Sequence, residues 1–363
     1  MKKIIFPKNV GVTEYGTVRL GKDFIADGND RERLARIRFQ THAHKDHTYG
    51  WMKSIRPGRA LVTSEPTLSI LSLENPNVNI NGNIHTLVHN EIQNSKNLIN
   101  PKFIIDYEID EAEVKLLDAN HMVGSSQVFV KNNSTSLEVL YSGDIGWPLD
   151  IIPHADVLIL DATYSRIETN ANKEWERKDA VTTILNLVTS NLSTEPIYIY
   201  ARYGIMQEIV EKIIENIDAE LNFVASDEII AKTKIIAEHK SSIPAVIHKE
   251  EEKYELKNVI HLKEFHKKQN ESLDGINITI TNFRAKNISP VEYKSNDRKN
   301  VVVALTNHAS GKEVSEYISQ VNPKYVITDS FRNSSNAEIL ADEITKKFKI
   351  PAIASRQSSV WKD

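Results

Sequence analysis

The sequence predicts an α/β protein in which one α/β domain is interrupted by another. Three observations carry that expectation. A chain of 363 residues exceeds what a single hydrophobic core usually supports. Its first half alternates short β-rich runs with loops, whereas from about Lys173 longer amphipathic patterns alternate with strands. After "NVVVALTNHAS" the chain returns to a strand, helix, strand, helix, strand order, so the middle segment reads as an insertion. The expected boundaries are residues 1–168 and 300–363 for the interrupted domain and 169–299 for the insert.

In chain order, "KIIF", "TVRL", "DFIAD", "RIRF" and "ALVTS" have the apolar or alternating pattern of strands, and "EPTLSILSLE" that of a short helix. "EVKLLD", "QVFVK", "LEVLYSGD" and "DVLILDATY" follow, each an apolar or alternating run with polar residues at its end. Loops at the ends of strands on a rigid sheet commonly carry sites. The insert shows helical patterns in "DAVTTILNLVTSNL", "GIMQEIVEKIIENI" and "SDEIIAKTKIIAEHK", interleaved with strands "PIYIYA", "AELNFVAS" and "NITITNF". The returning part reads as helix "GKEVSEYISQV", strand "PKYVITDS", helix "NAEILADEITKKF" and strand "PAIAS". No internal repeat or low-complexity tract stands out.

Composition narrows the chemistry. Hydrophobic residues make up 40% and charged ones 26%, ordinary values for a soluble globular chain. No apolar run approaches the roughly 18 residues of a membrane span, and "MKKIIFPKNV" lacks the apolar core of a secretory signal, so the expected location is cytoplasmic, without a membrane partner. There is no cysteine, which excludes disulfides, thiolate nucleophiles and Cys-type zinc sites; any metal must be held by His, Asp and Glu. A formal charge of −4 provides no global attraction to nucleic acid, although a local basic groove or bound cations can still hold phosphate.

The sharpest local signal is "THAHKDH". On an extended segment side chains two apart point the same way, so His42 and His44 can present both imidazoles to one point just after "RIRFQ". Asp46 and His47 follow within the same turn and could hold a second cation beside the first, as a two-metal hydrolytic site requires. Such a donor set suits zinc, with manganese, magnesium or iron as alternatives. The spacing H-x-H-x-D-H arises by chance on the order of once in a thousand such sequences.

"THAHKDH" resembles the first metal motif of the metallo-β-lactamase superfamily. The resemblance extends along the chain: His121 in "LLDANHMVGSSQ" is similar to the lone downstream histidine of that family, and Asp144 in "VLYSGD" to its metal-bridging aspartate. It implies that His42, His44 and His121 bind one metal, that Asp46 and His47 bind another, and that Asp144 is shared. "LILDATYS", with Asp161, resembles motif A of the β-CASP nucleases, and "VALTNHASGKEV", with His308, their motif B. The long stretch between them suits the inserted β-CASP domain. The implied architecture is an αββα metallo-β-lactamase sandwich with an inserted α/β β-CASP domain, covering nearly the whole chain.

One family position departs. RNA-processing members carry a histidine near the end of the strand after motif B, where this chain reads "YVITDSFRN". Asp329 or Ser330 takes that place, the first as a metal ligand, the second as a contact to water or phosphate, and the second metal is then expected to be weakly held. "DANH", "LDATY" and "RYGIMQE" look more like segments of the DNA cross-link repair nucleases, which tilts the expected substrate towards DNA rather than RNA.

The activity this implies is a metal-dependent nuclease, an exonuclease on single-stranded DNA or RNA. Asp46 would orient the attacking water, and His308, held by Asp161, would protonate the leaving oxygen. Arg202, Arg284 and Lys286, near strand ends of the insert, are candidates for substrate phosphates. The rival expectations are an RNA-processing nuclease, a small-molecule metallohydrolase, and a nucleic-acid-binding subunit that has lost catalysis. His85, His89, His154, His239, His248, His261 and His266 have no comparable setting and read as structural or exposed.

Overall fold

The computed structural model describes residues 6–28, 35–55, 58–78, 83–98, 110–163, 177–240, 247–249, 257–265, 273–281, 291–294, 296 and 298–355. The chain divides into two compact units, Met1–Thr169 with His308–Asp363, and Asn170–Asn307.

The elements run in this order. β1 (Val10–Val12), β2 (Val18–Leu20), β3 (Phe24–Ala26), β4 (Ile37–Phe39) and β5 (Ala60–Thr63) lead to α1 (Glu65–Glu74). Next come β6 (Ile84–Thr86), β7 (Gln93–Asn94), β8 (Ala112–Asp118), β9 (Ser126–Asn132), β10 (Glu138–Tyr141) and β11 (Val157–Leu160). The second unit holds α2 (Arg177–Asn191), β12 (Ile197–Ala201), α3 (Ile205–Asn216), β13 (Asn222–Ala225) and α4 (Asp227–His239). It continues with β14 (His248–Lys249), β15 (Val259–Glu264), β16 (Ile276–Thr281), β17 (Val291–Tyr293) and β18 (Asn300–Ala304). The chain then returns through α5 (Gly311–Val321), β19 (Tyr325–Thr328), α6 (Ser334–Phe348) and β20 (Ala352–Ala354).

The first unit is built on two sheets. One runs β1-β2-β3-β4-β5-β6, the other β20-β19-β11-β10-β9-β8-β7. In the second sheet β8, β9 and β10 are antiparallel neighbours, and β10, β11, β19 and β20 run parallel. β11 is buried on both faces, which explains why "VLIL" is apolar throughout rather than alternating. Val157 and Ile159 of β11 join Phe24, Ile37, Phe39 and Val62 of the first sheet in one core. Leu158 and Leu160, pointing the other way, join Val314, Tyr317 and Ile318 of α5 and Leu340 and Ile344 of α6 in another. The first unit thus has two facing sheets with helices on the outer side of the second.

The helix ends follow from their sequences. Ser64 caps α1 by accepting from Thr67 N, with Pro66 at a first-turn position where a missing N–H costs nothing. Ser310 and Glu313 form a reciprocal capping box at the start of α5, and Asn322 closes it in the left-handed conformation.

The second unit is one seven-stranded sheet, β14-β13-β15-β12-β16-β18-β17, parallel except for the edge strand β17. Its core draws Ile184 and Val188 from α2, Ile209 and Ile213 from α3, and Ile229 from α4 against Ile199, Ile260 and Ile278. β18 belongs to this sheet, paired with β16 and β17, so the segment between the two parts of the first unit extends to Asn307 instead of ending at 299. Pairing decides the boundary: the apolar alternation of "NVVVA" matches β16 as well as it would match a strand of the returning domain. Of the strand expected at "KIIF", only Phe6 lies within the described residues.

Gly28, two residues past β3, has φ +63°, and a Cβ placed on it would sit 2.1 Å from the carbonyl carbon of Gly16. Its N–H donates to the carbonyl of His47 at 3.1 Å, so the turn ties β3 to the histidine loop. Gly28→Ala combines left-handed strain with a backbone clash, and a loss of roughly 2–4 kcal/mol is expected. Denaturant unfolding would read it; an unchanged midpoint would contradict the tightness of this turn.

Candidate metal centre

The centre is assembled from loops at strand ends of the first unit. His42 and His44 lie on the extended segment beyond β4, His121 in the turn between β8 and β9, and Asp144 just beyond β10. Their placement is local chemistry. The Ser125 hydroxyl accepts from the backbone N–H groups of His121 and Met122, both at 3.1 Å, and closes the turn that presents His121. Gly143, at φ +56°, lets the chain bend before Asp144; a Cβ there would lie 2.9 Å from the Ser126 carbonyl oxygen.

The result is a convergence of donors. His42, His44, His121 and Asp144 each offer one atom within 4.8 Å of the other three. His42 Nε2 and His121 Nε2 stand 3.6 and 3.7 Å from Asp144 Oδ2, and His44 Nδ1 lies 3.2 Å from His121 Nε2. His42, His121 and Asp144 are buried, and His44 is half-buried. His42 Nε2 is a buried atom with no hydrogen-bond partner. A polar atom so placed normally costs free energy, and a cation is the partner that would satisfy it. Burial, with the charge of His47, pushes the His42 imidazole well below its usual range against the pull of Asp144. A neutral imidazole is the form that ligates. Three imidazoles and one carboxylate therefore fit a divalent cation of the zinc type.

A second group shares Asp144. His308, in the loop between β18 and α5, places Nε2 3.8 Å from Asp144 Oδ2 and Nδ1 3.0 Å from Asp161 Oδ2. Asp161, just past β11, is itself held: the Thr163 N–H and hydroxyl both donate to Oδ1 at 2.8 Å. The Ala309 N–H donates to the Ile145 carbonyl at 2.6 Å and pins the His308 loop beside Asp144. Burial acts to lower His308, but Asp144 and the hydrogen-bonded Asp161 outweigh it and hold the imidazole above its usual range. Burial would likewise raise Asp144; His47 and His308 reverse that and hold it well below the carboxylate range.

Beneath these groups lies a residue that the motifs did not single out. Asp27, at the end of β3 and fully buried, accepts five hydrogen bonds. Oδ1 receives Thr41 N at 2.9 Å and Gln40 Nε2 at 3.1 Å. Oδ2 receives the Thr41 hydroxyl at 2.7 Å, His47 Nδ1 at 2.8 Å and the Tyr141 hydroxyl at 3.1 Å. Thr41 Oγ1 in turn lies 3.0 Å from His42 Nδ1, an arrangement that directs Nε2 towards Asp144. The signal in the sequence was the lone acid ending the apolar run "DFIAD"; its partners are remote in sequence.

Other expected site residues fall outside this arrangement. The Asp46 side chain is 60% exposed, with Oδ2 3.9 Å from His47 Nε2. Asp329 does not face the cluster as a free ligand: Oδ1 accepts from Phe331 N at 2.9 Å and Oδ2 from Arg332 Nη1. Ser330 is 1% exposed, with its hydroxyl 2.5 Å from that of Ser355. Arg202 is exposed beyond β12 in the second unit, and Arg284 and Lys286 lie outside the described residues. His266 does too. Among the remaining histidines, His89 pairs with Ser126 at 2.9 Å and His261 stacks on Tyr198.

Among the described residues no helix is long and apolar enough to cross a membrane. Exchanging Asp27 for Asn keeps the shape but leaves hydrogen-bond donors facing an amide. A metal affinity lower by roughly 10–100-fold is expected. Titration against a chromophoric chelator, with circular dichroism to establish folding, would measure it; wild-type affinity in a folded variant would remove Asp27 from the support of the ligands.

Comparison with known proteins adds the following. No family model matches the chain. It is 31% identical over 110 residues to the "Uncharacterized protein in lig 3'region" of Acidianus ambivalens, a span of 30% of this chain and 76% of that relative. A crystal structure of a protein of unknown function from Enterococcus faecalis V583 shares the fold at a TM-score of 0.55 and 14% identity, over 88% of this chain and 91% of that one. The crystal structure of Zn(2+)-bound PqqB from Methylobacterium extorquens aligns at a TM-score of 0.30 and 12% identity, over 41% of this chain and 60% of that one.

Proposed function

We propose that this chain, which belongs to the same family as the Acidianus ambivalens protein, is a metal-dependent hydrolase of the metallo-β-lactamase type that cleaves phosphodiester bonds in nucleic acid. The observation that carries the reading is the convergence of His42, His44, His121 and Asp144, with the Asp161–His308 pair against the same carboxylate. The Asn170–Asn307 unit, inserted in sequence between the two parts of the first, is the proposed β-CASP domain. DNA is the proposed polymer, on the likeness of "DANH" and "LDATY" to cross-link repair nucleases.

A divalent cation bound by the four ligands would supply a Lewis acid for a phosphoryl oxygen and a water of lowered pKa. The chain's own groups do the rest. Thr41 and Asp27 hold His42 in its ligating orientation. His308 carries the proton for the leaving oxygen. Its Nδ1–H donates to Asp161, so Nε2 is the atom that faces the cluster, and the raised pKa keeps it protonated further into the neutral range. Asp161 is a positioning residue, since both its oxygens are engaged by Thr163 and His308.

His308→Ala is expected to lower turnover roughly 10²–10⁴-fold while metal content is retained; loss of metal would make His308 a ligand instead. A general acid fails as pH rises through its pKa, so activity should fall on the alkaline side. Asp161→Asn removes one of the influences raising that pKa and should move this limb to lower pH. A limb that stays in place would exclude His308 as the acid.

Substrate is tested with matched 5′- and 3′-labelled single-stranded DNA and RNA, metal-loaded protein and a His121→Ala control. Release of nucleotides from one end of the DNA, absent in the control, is the expected outcome. Cleavage of neither polymer by metal-containing protein would overturn the nuclease reading.

A further inference from the structure

A two-metal site on this motif would take its second cation from Asp46, His47, Asp144 and Asp329. Half of that set is in place: His47 Nε2 and Asp144 Oδ1 are 3.1 Å apart. The other half is open to solvent at Asp46 and engaged at Asp329. Asp46 is 60% exposed, with Oδ2 3.9 Å from His47 Nε2, and both oxygens of Asp329 are engaged. What lies there is a cation of the chain's own. Arg332 has a side chain 8% exposed, donates through Nη1 to Asp329 and reaches the Asp46 carbonyl through Nη2 at 3.4 Å. Its Nε is buried with no hydrogen-bond partner. The guanidinium is close enough for its charge to act on Asp27 and on His47, the two groups that flank the second position.

We propose that the centre takes one divalent cation, in the His42, His44, His121 and Asp144 set, and that Arg332 stands in for the second. A guanidinium is charged at every accessible pH and spreads its charge over a planar fork suited to carboxylates and phosphates. The charge of Arg332 also acts on Asp144, so it would supply positive charge near a bound cation that no chelator can remove. It also opposes a second metal in two ways: it occupies the Asp329 carboxylate, and its like charge acts on His47 and Asp144 in a poorly solvated region. The sequence pattern "TDSFRN" carries the arrangement: near where RNA-processing β-CASP nucleases bring a histidine, this chain has Asp329 and, three residues on, the arginine that neutralises it.

This inference rests on the metallohydrolase reading, and metal stoichiometry separates the two. Full-length protein is stripped with chelator, titrated with Zn2+ and separately with Mn2+ by calorimetry, and the bound metal is measured by elemental analysis after gel filtration. One equivalent is expected in the wild type and in Arg332→Lys. Arg332→Met frees Asp329 and removes the charge, and a second equivalent should bind at least tenfold more tightly than any second equivalent in the wild type. Should the Met variant not fold, Arg332→Gln serves in its place. Two tight equivalents in the wild type overturn the inference and leave the metallohydrolase reading intact. A single equivalent in both the wild type and a folded Met or Gln variant also overturns it. No uptake by the wild type overturns both.

Discussion

The arrangement depends on one buried charge. An unpaired carboxylate in a protein interior is worth several kcal/mol of instability, so Asp27 is tolerated only because five donors converge on it. Those donors are not interchangeable bystanders. Thr41 orients His42, Gln40 also donates to the His42 carbonyl at 2.9 Å, His47 faces Asp144, and Tyr141 ends the strand that delivers Asp144. The first sheet and the second sheet of the first unit are thereby joined at the site by hydrogen bonds as well as by their shared core.

The second sheet explains why the remaining chemistry gathers where it does. β10, β11 and β19 run parallel, so their C-terminal ends lie side by side and deliver Asp144, Asp161 and Asp329 in a row. Burial on both faces leaves these strands no freedom of register, because a slip by one residue would exchange the inter-sheet core for the face against α5 and α6. The acids at their ends inherit that rigidity. The histidines come from loops, yet each is tied down: His121 by Ser125, His308 by Ala309, and the His42–His47 turn by Gly28 and Asp27.

Charge balance then differentiates the acids. Asp144 is shared by imidazoles on every side and is held ionised. Asp161 serves one imidazole. Asp329 serves a guanidinium. Three aspartates at equivalent strand ends thus carry three different duties, set by the cation each one faces.

The sequence by itself determined what is local. α1 and α5 match their amphipathic segments to the residue, because capping serines and apolar spacing act within one or two turns. "HAHKDH" declared a metal chemistry because alternate side chains on an extended segment share a side, whatever surrounds them. Local pattern did not reveal β15, whose "VIHLKE" mixes apolar and charged residues yet lies between β13 and β12 in its sheet. Nor did it reveal Asp27, whose partners lie 14, 20 and 114 positions away, or Arg332, which meets the Asp46 carbonyl 286 positions away. Only the tertiary structure decided that β18 belongs with the second unit, that Asp46 is largely exposed and that Asp329 is paired with Arg332. Each of those outcomes is set by which charged or apolar group the fold brings alongside, and a buried charge takes its role from its neighbours in space.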